Sequence, residues 1–317
     1  MKIYPAEYCL RCAARDGALS HNTLVVETSS GTMALGLAIV CNRTGQRLTI
    51  VSDYACDPAL KARLEDLGAQ VEIVSEPAPV GGYQRSRLDR LEQIKSDSAD
   101  HWWVSQYDNP CNPAAYAGFA AQLVEELGEI DCLVGTVGSG GSMCGTSAYL
   151  RTIFPDLKVV GVDTLNSVLF GQPDGPRMLR GLGNSLMPRN LDHTSFDEVH
   201  WVTAAEAFTA TRMLHRASAL FRGGTSGAAW MVARYWAAQN PDCRVACIFP
   251  DDGNRYIHTI YNDSYLIDNH LLLHELSAKP RIISDPIDAG PGWSAMYWDR
   301  RRFTDLRNRS STMKASA

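Results

Sequence analysis

Three short stretches of this chain gather glycine and hydroxyl side chains just where an apolar run hands over to a helical pattern. The first, Ser29-Ser30-Gly31-Thr32, follows the apolar residues 24–27 and opens a helix reaching to about residue 40. Backbone N–H groups and hydroxyls at a helix N-terminus suit a carboxylate, although the same cluster also reads as an ordinary helix cap. The second, Gly138-Ser139-Gly140-Gly141-Ser142, stands between the apolar run 132–136 and a helical stretch over 143–153. Its glycines let the backbone come close to a ligand, and consecutive N–H groups can cup a phosphate without a basic side chain. A dinucleotide site is the competing reading, with Asp163 ending the next strand as a ribose-binding acid would. The spacing, however, places glycines at 138, 140, 141 and 145 and misses the third glycine of GxGxxG. The third, Gly223-Gly224-Thr225-Ser226-Gly227, starts a helix rich in small residues. A hydroxyl flanked by glycines there can face a ring nitrogen or a substrate oxygen, or merely cap a tight turn.

Together such loops suit the ends of a phosphorylated, carboxylate-bearing imine, and an imine needs an amine. The chain has six lysines. Lys61 and Lys95 fall on polar helix faces, Lys158 opens a strand beside Pro155 and Asp156, and Lys279 and Lys314 lie near the C-terminus. On composition alone Lys2 reads as a frayed terminal residue. Arg87, in a helical stretch over 83–95 beside Asp89 and Glu92, reads as a solvated side chain, and Tyr107 as a ring packed at a domain boundary.

The elements that must position these residues follow a regular alternation. Apolar runs at 24–27, 48–52, 71–74, 102–104, 132–136, 159–163, 199–202 and 245–249 predict strands, with amphipathic stretches between them. That order predicts mostly parallel sheets flanked by helices. A length of 317 residues suits two α/β domains with a cleft between them. We expect the domains over 1–106 and 107–277, with the crossing in the turn-rich segment 106–113, and an irregular strap over 278–317. A hydrophobic share of 45% and a charged share of 21% argue for a globular chain over a disordered one. The net charge of −5 argues against a nucleic-acid surface. No apolar stretch is long enough to cross a membrane and the first residues lack the core of a signal peptide, so a cytoplasmic protein is expected. Nine scattered cysteines fit reduced thiols, and the lone Cys9-x-x-Cys12 pair, with no second pair to complete a ligand set, implies no metal.

Taken in order, the segments resemble the fold-type II pyridoxal-phosphate enzymes, which include cysteine synthase and the tryptophan synthase β-subunit. The family's lysine, helix, strand and Thr-Ser-Gly-Asn loop are matched by Lys2, residues 6–15, the strand at 24–27 and Ser29-Ser30-Gly31-Thr32. Its phosphate cup is matched by Gly138, Ser139, Gly140, Gly141 and Ser142, and its hydroxyl partner for the pyridine nitrogen by Thr225. The family's Gln-Tyr/Phe-x-Asn-Pro segment is matched by Gln106-Tyr107-Asp108-Asn109-Pro110, and the likeness extends to about residue 267. A branch that joins O-phospho-L-serine to L-glutamate is similar in further stretches. Among them are Lys2-Ile3-Tyr4-Pro5, Gly81-Gly82-Tyr83 with Arg87, Ser167-Val168-Leu169-Phe170-Gly171 and Pro250-Asp251-Asp252-Gly253.

The resemblance implies pyridoxal 5'-phosphate as cofactor, carried on Lys2 as the catalytic amine and surrounded by Thr32, the 138–142 cup and Thr225. It implies β-substitution through an aminoacrylate, of the kind that serves 2,3-diaminopropionate and siderophore biosynthesis. Ser29, Ser30, Gly31 and Gln106 would hold the amino-acid carboxylate, and Arg87 and Tyr107 the phosphate of phosphoserine. A homodimer acting on small amino acids is implied as well. The sequence departs from the family in three ways. Thr32 replaces the usual asparagine, the cup is nearer to that of cysteine synthases, and the pattern enters at its lysine without the segment that precedes it in relatives. Two alternatives stand beside this reading: a cysteine synthase using O-acetyl- or O-phosphoserine with sulfide, and a non-catalytic protein that keeps the fold.

Overall fold

The computed structural model describes residues 1–306, so Lys314 and the end of the expected strap lie outside the described residues. The chain divides into two compact units, Met1–Phe119 with Pro188–Asn190, and Ala120–Met187 with the residues from Leu191 on. The segment 106–113 therefore lies inside the first unit.

The first unit runs α1 (Ile3–Arg15), β1 (Leu24–Thr28), α2 (Thr32–Thr44), β2 (Leu48–Ser52), α3 (Pro58–Asp66), β3 (Gln70–Ile73), α4 (Gly82–Asp97), β4 (His101–Trp103) and α5 (Cys111–Ala114). Its four strands form a parallel sheet in the order β3-β2-β1-β4. Local chemistry sets the boundaries. Asp57 caps α3 by accepting the Leu60 N–H at 2.8 Å, with Pro58 in the first turn, and Gly45 ends α2 in the left-handed region at φ 70°. Helix α1 begins directly after Lys2, three residues ahead of the expected start at residue 6. Pro5 is tolerated there because first-turn N–H groups have no partner inside the helix. Lys2 is thus the N-cap of a helix whose apolar side, with Ala6, Cys9, Leu10 and Ala13, is buried against Leu37 and Val25, and the composition-based picture of a frayed residue does not hold.

After α6 (Tyr116–Leu127), which runs across the division, the second unit holds β5 (Cys132–Thr136), α7 (Gly141–Leu150), β6 (Lys158–Thr164), β7 (Glu198–Val202), α8 (Ala204–Ser218), α9 (Gly224–Gln239), β8 (Val245–Cys247), α10 (Asp263–Asp268), β9 (Arg281–Ile282) and β10 (Ser294–Tyr297). Its sheet has the order β8-β5-β6-β7-β10-β9, parallel apart from the antiparallel β7–β10 pair. The central strands β5 and β6 are buried almost end to end, as parallel strands covered on both faces require. Helix α8 starts with a capping box in which Thr203 and Glu206 satisfy each other's backbone N–H groups.

The strap expected from residue 278 takes a different form over its described part. Strand β10 pairs with β7 from Ser294↔Trp201 to Tyr297↔Glu198, and Trp293 and Trp298 on either side of it are 4% and 0% exposed. Short strands among prolines and glycines carry little periodicity, and here two tryptophans supply the burial that anchors them.

Candidate active site

Each unit presents a group of the expected residues at the ends of its strands. In the first unit the loop after β1 carries Ser29, Ser30 and Gly31 into α2, whose first residue is Thr32. The Ser29 hydroxyl accepts the Gly31 and Ala34 N–H groups at 3.3 and 3.2 Å, so this oxygen caps the helix and keeps only its own O–H to donate. Ser30 faces the other way and accepts Arg87 Nη1 at 3.2 Å.

Arg87 on α4 is 7% exposed, unlike the solvated residue its neighbours Asp89 and Glu92 suggest. Its Nε lies 3.4 Å from Asp53 Oδ2 but is not aligned for a hydrogen bond, leaving a buried donor without an acceptor. Burial raises the Tyr107 phenol above its ordinary pKa, and the adjacent Arg87 guanidinium opposes that shift. Gln106 donates its side-chain amide to the Thr28 carbonyl at 2.8 Å, bracing the loop that presents the serines. Its carbonyl accepts Asn190 Nδ2 at 3.1 Å, and the Tyr107 carbonyl accepts the Asn190 N–H at 3.0 Å.

Lys2 is held by a close approach of two helices. A Cβ added to Gly36 of α2 would lie 2.6 Å from the Lys2 carbonyl oxygen, so only glycine lets the start of α1 settle there. Burial lowers the Lys2 ammonium to about 8, against the opposing pull of Cys9 and Glu27. An amine titrating there is partly neutral near physiological pH, the state that attacks an aldehyde or takes a proton.

In the second unit, Gly138–Ser142 follows β5, with Gly140 at φ 82° and no side chain capping α7. The first N–H groups of α7 are therefore available to an anion, and a Cβ on Gly138 would stand 3.1 Å from the Gly181 carbonyl, which keeps the loop free of side chains. Thr225 at the start of α9 is 2% exposed, and its Oγ1 has no hydrogen-bond partner. A buried hydroxyl left unmatched in this way can still donate a hydrogen bond to a ligand acceptor. Asp251 fixes the turn, accepting the Thr225 and Ser226 N–H groups at 3.2 and 3.1 Å, and a Cβ at Gly223 would strike its carboxylate.

The dinucleotide reading fails on Asp163, which is fully buried with its carboxyl pushed up to about 7 by burial and so reaches no ribose. Three carboxylates escaped the sequence reading: Glu27, Asp53 and Asp251. Only Glu27 leaves a signal, a lone acid inside the apolar run Leu24-Val25-Val26-Glu27. Among the described residues no group of three or more His, Cys, Asp or Glu side chains is placed to hold a metal ion, and no helix is long and apolar enough to cross a membrane.

Known proteins resemble this chain in sequence and in fold. Residues 1–251 match the family described as pyridoxal-phosphate dependent enzyme. The chain is 35% identical over 292 residues to an N-(2-amino-2-carboxyethyl)-L-glutamate synthase from Cupriavidus metallidurans, covering 90% of this chain and 86% of that protein. A protein of the same description from Ralstonia nicotianae is 34% identical over 269 residues, covering 84% of this chain and 80% of the relative. Among solved structures, the O-acetylserine dependent cystathionine β-synthase from Helicobacter pylori superposes with a TM-score of 0.76 at 27% identity, over 83% of this chain and 86% of that one. The O-acetyl serine sulfhydrylase isoform 3 from Entamoeba histolytica gives 0.76 at 25% identity, over 86% and 84%.

Proposed function

Because this chain belongs to the pyridoxal-phosphate dependent enzymes and catalyses a β-replacement with that cofactor, we propose that it joins O-phospho-L-serine to L-glutamate. The Cβ–O bond of phosphoserine breaks, phosphate leaves with the bonding pair, and a Cβ–N bond forms to the glutamate amine, whose proton departs with phosphate. The product is N-(2-amino-2-carboxyethyl)-L-glutamate, the compound named in both relatives.

The cofactor, when bound, supplies the electron sink that lets the Cα proton and then the β-substituent leave. Lys2 would carry it, and its amine would take the Cα proton and later return it. The uncapped start of α7 over 141–143 and the Ser139 and Ser142 hydroxyls would hold the cofactor's phosphate, and Thr225 would offer its hydroxyl to the ring nitrogen. A neutral partner there would leave the ring a moderate electron sink, favouring elimination at Cβ over transamination. Thr32, the first residue of α2, would line the cofactor site, and Ser29, Ser30 and Gly31 would receive the substrate carboxylate with Gln106 bracing their loop. Two such chains act as a dimer.

The observation that carries the substrate is Arg87, buried, touching Ser30 and Tyr107, and keeping one N–H donor unmatched. A phosphate dianion matches that donor, and a neutral acetyl ester does not. Losing a charge-assisted hydrogen bond costs about 1.5–3 kcal/mol, or roughly ten-fold to more than a hundred-fold in kcat/KM. Arg87→Ala should therefore lower kcat/KM for O-phospho-L-serine by that factor while leaving O-acetyl-L-serine nearly unaffected. Equal losses on both donors, or sulfide outcompeting glutamate as acceptor, would make the chain a cysteine synthase instead.

A further inference from the structure

Beneath the expected amine and carboxylate clamp of the first unit lies a carboxylate with no cation bonded to it. Glu27 sits on the central strand β1, is 0% exposed, and forms no ion pair among the described residues. Its oxygens accept N–H groups only. Oε1 takes the Thr28 amide at 2.6 Å and the Trp103 indole at 3.4 Å, and Oε2 takes the Gln106 amide at 2.9 Å. An acid on a buried parallel strand incurs a desolvation cost, which here these three N–H donors partly offset.

The Gln106 contact spans 79 residues of sequence and lands on a turn that needs support. Ser105, just before it, is a non-glycine residue in the left-handed region at φ 53°. Gln106 then sends its side chain to the Thr28 carbonyl, so strand β1 and the turn are tied twice, once through the Gln106 backbone and once through its amide. The charged groups that sense Glu27 come from three directions. Lys2 and Cys9 face it from α1, Arg87 from α4, and Tyr107 from the turn itself.

We propose that Glu27 is a positioning residue for the β-replacement: its ionised carboxylate fixes the Gln106–Tyr107 turn against the carboxylate loop and holds a negative charge that biases the Lys2 amine toward its protonated form. The inference rests on the reading of Lys2 and Gln106 given above. Protonation removes one acceptor lone pair and the charge together, so the turn and the amine respond to the same proton. Burial raises this carboxyl to about 7, while the Thr28 and Gln106 N–H groups pull it down, so the change falls within the working pH range.

The test uses the holoenzyme with O-phospho-L-serine. Borohydride reduction and peptide mapping first establish that Lys2 carries the cofactor; label on another lysine overturns the reading of the site and this inference with it. With Lys2 labelled, Glu27→Gln should raise KM for O-phospho-L-serine about ten-fold or more. It should also erase the acidic limb near pH 7 from the kcat/KM profile, and shift the pH midpoint of the bound cofactor's visible absorption downward. Glu27→Asp keeps the charge but shortens the reach, so it should keep the absorption midpoint and still raise KM. If Glu27→Gln does not fold, the Asp variant alone decides, together with a pH-dependent carboxyl band in the infrared spectrum of the unaltered protein. Unchanged KM and a superimposable pH profile in a folded variant, with Lys2 labelled, would overturn the inference and leave the function intact.

Discussion

The two units offer an anion opposite kinds of partner. The first uses charged side chains: Arg87 on Ser30, Asp53 facing the guanidinium at 3.4 Å, and Glu27 buried behind Gln106. The second uses the backbone, with an uncapped helix after Gly140 and one neutral hydroxyl on Thr225. Charged groups can discriminate between substrates and answer to pH, whereas backbone N–H groups of a glycine loop do not themselves titrate in the working pH range. That division suits an enzyme whose cofactor stays while its substrates come and go.

The contrast would break most sharply at Lys2. Lys2→Ala should cut turnover on the order of 10²–10⁴-fold, yet cofactor should still bind non-covalently through the second unit, as its absorption would show. Complete loss of cofactor from the folded variant would mean that the backbone cup does little. Next in size, Gly36→Ala should destabilise the protein by about 1–3 kcal/mol in denaturant unfolding and slow borohydride labelling of Lys2, because the new methyl meets the Lys2 carbonyl.

Of comparable size is the pH dependence of the cofactor-free protein. Glu27 has a folded pKa of about 7 against 4.5 unfolded, so the native state holds the extra proton between these values. Its contribution to stability is full below about 4.5 and is lost as pH rises through 7, amounting to on the order of 3 kcal/mol. Glu27→Gln should flatten that fall, while the similar contribution of Asp163 in the second unit remains. Lys2, lowered from 10.5 to about 8, works in the reverse sense, since stability should rise as pH climbs from 8 towards 10.5. The smallest effect belongs to Thr225→Val, which removes an unmatched buried hydroxyl. Without cofactor the variant should gain up to about 1 kcal/mol, and with cofactor it should keep binding while its absorption spectrum shifts.

Much of this was legible in the residues. Each of the eight apolar runs read as strands became one, most plainly the central β5 and β6, which are covered on both faces and must be largely apolar. The glycine loops were legible too, since few other residues tolerate φ 82° at Gly140 or the approach at Gly223. Arg87 was not legible from its own helix. Its neighbours are polar, and only the fold turns that side chain inward towards Asp53. Glu27 and Asp251 were missed for a related reason, as each bonds backbone N–H groups far away in sequence and leaves no local spacing to read. Strand β10 lacked both length and alternation.

That last strand has a consequence for the life of the chain outside its native state. It covers one side of β7, whose residues Val199, His200, Trp201 and Val202 are almost wholly buried. A chain shortened before Pro280, or one whose C-terminal part has yet to emerge during synthesis, exposes the β7 edge as an apolar template for another molecule's strand. The late-arriving Trp293 and Trp298 then act as the clasp that keeps newly made molecules from aggregating.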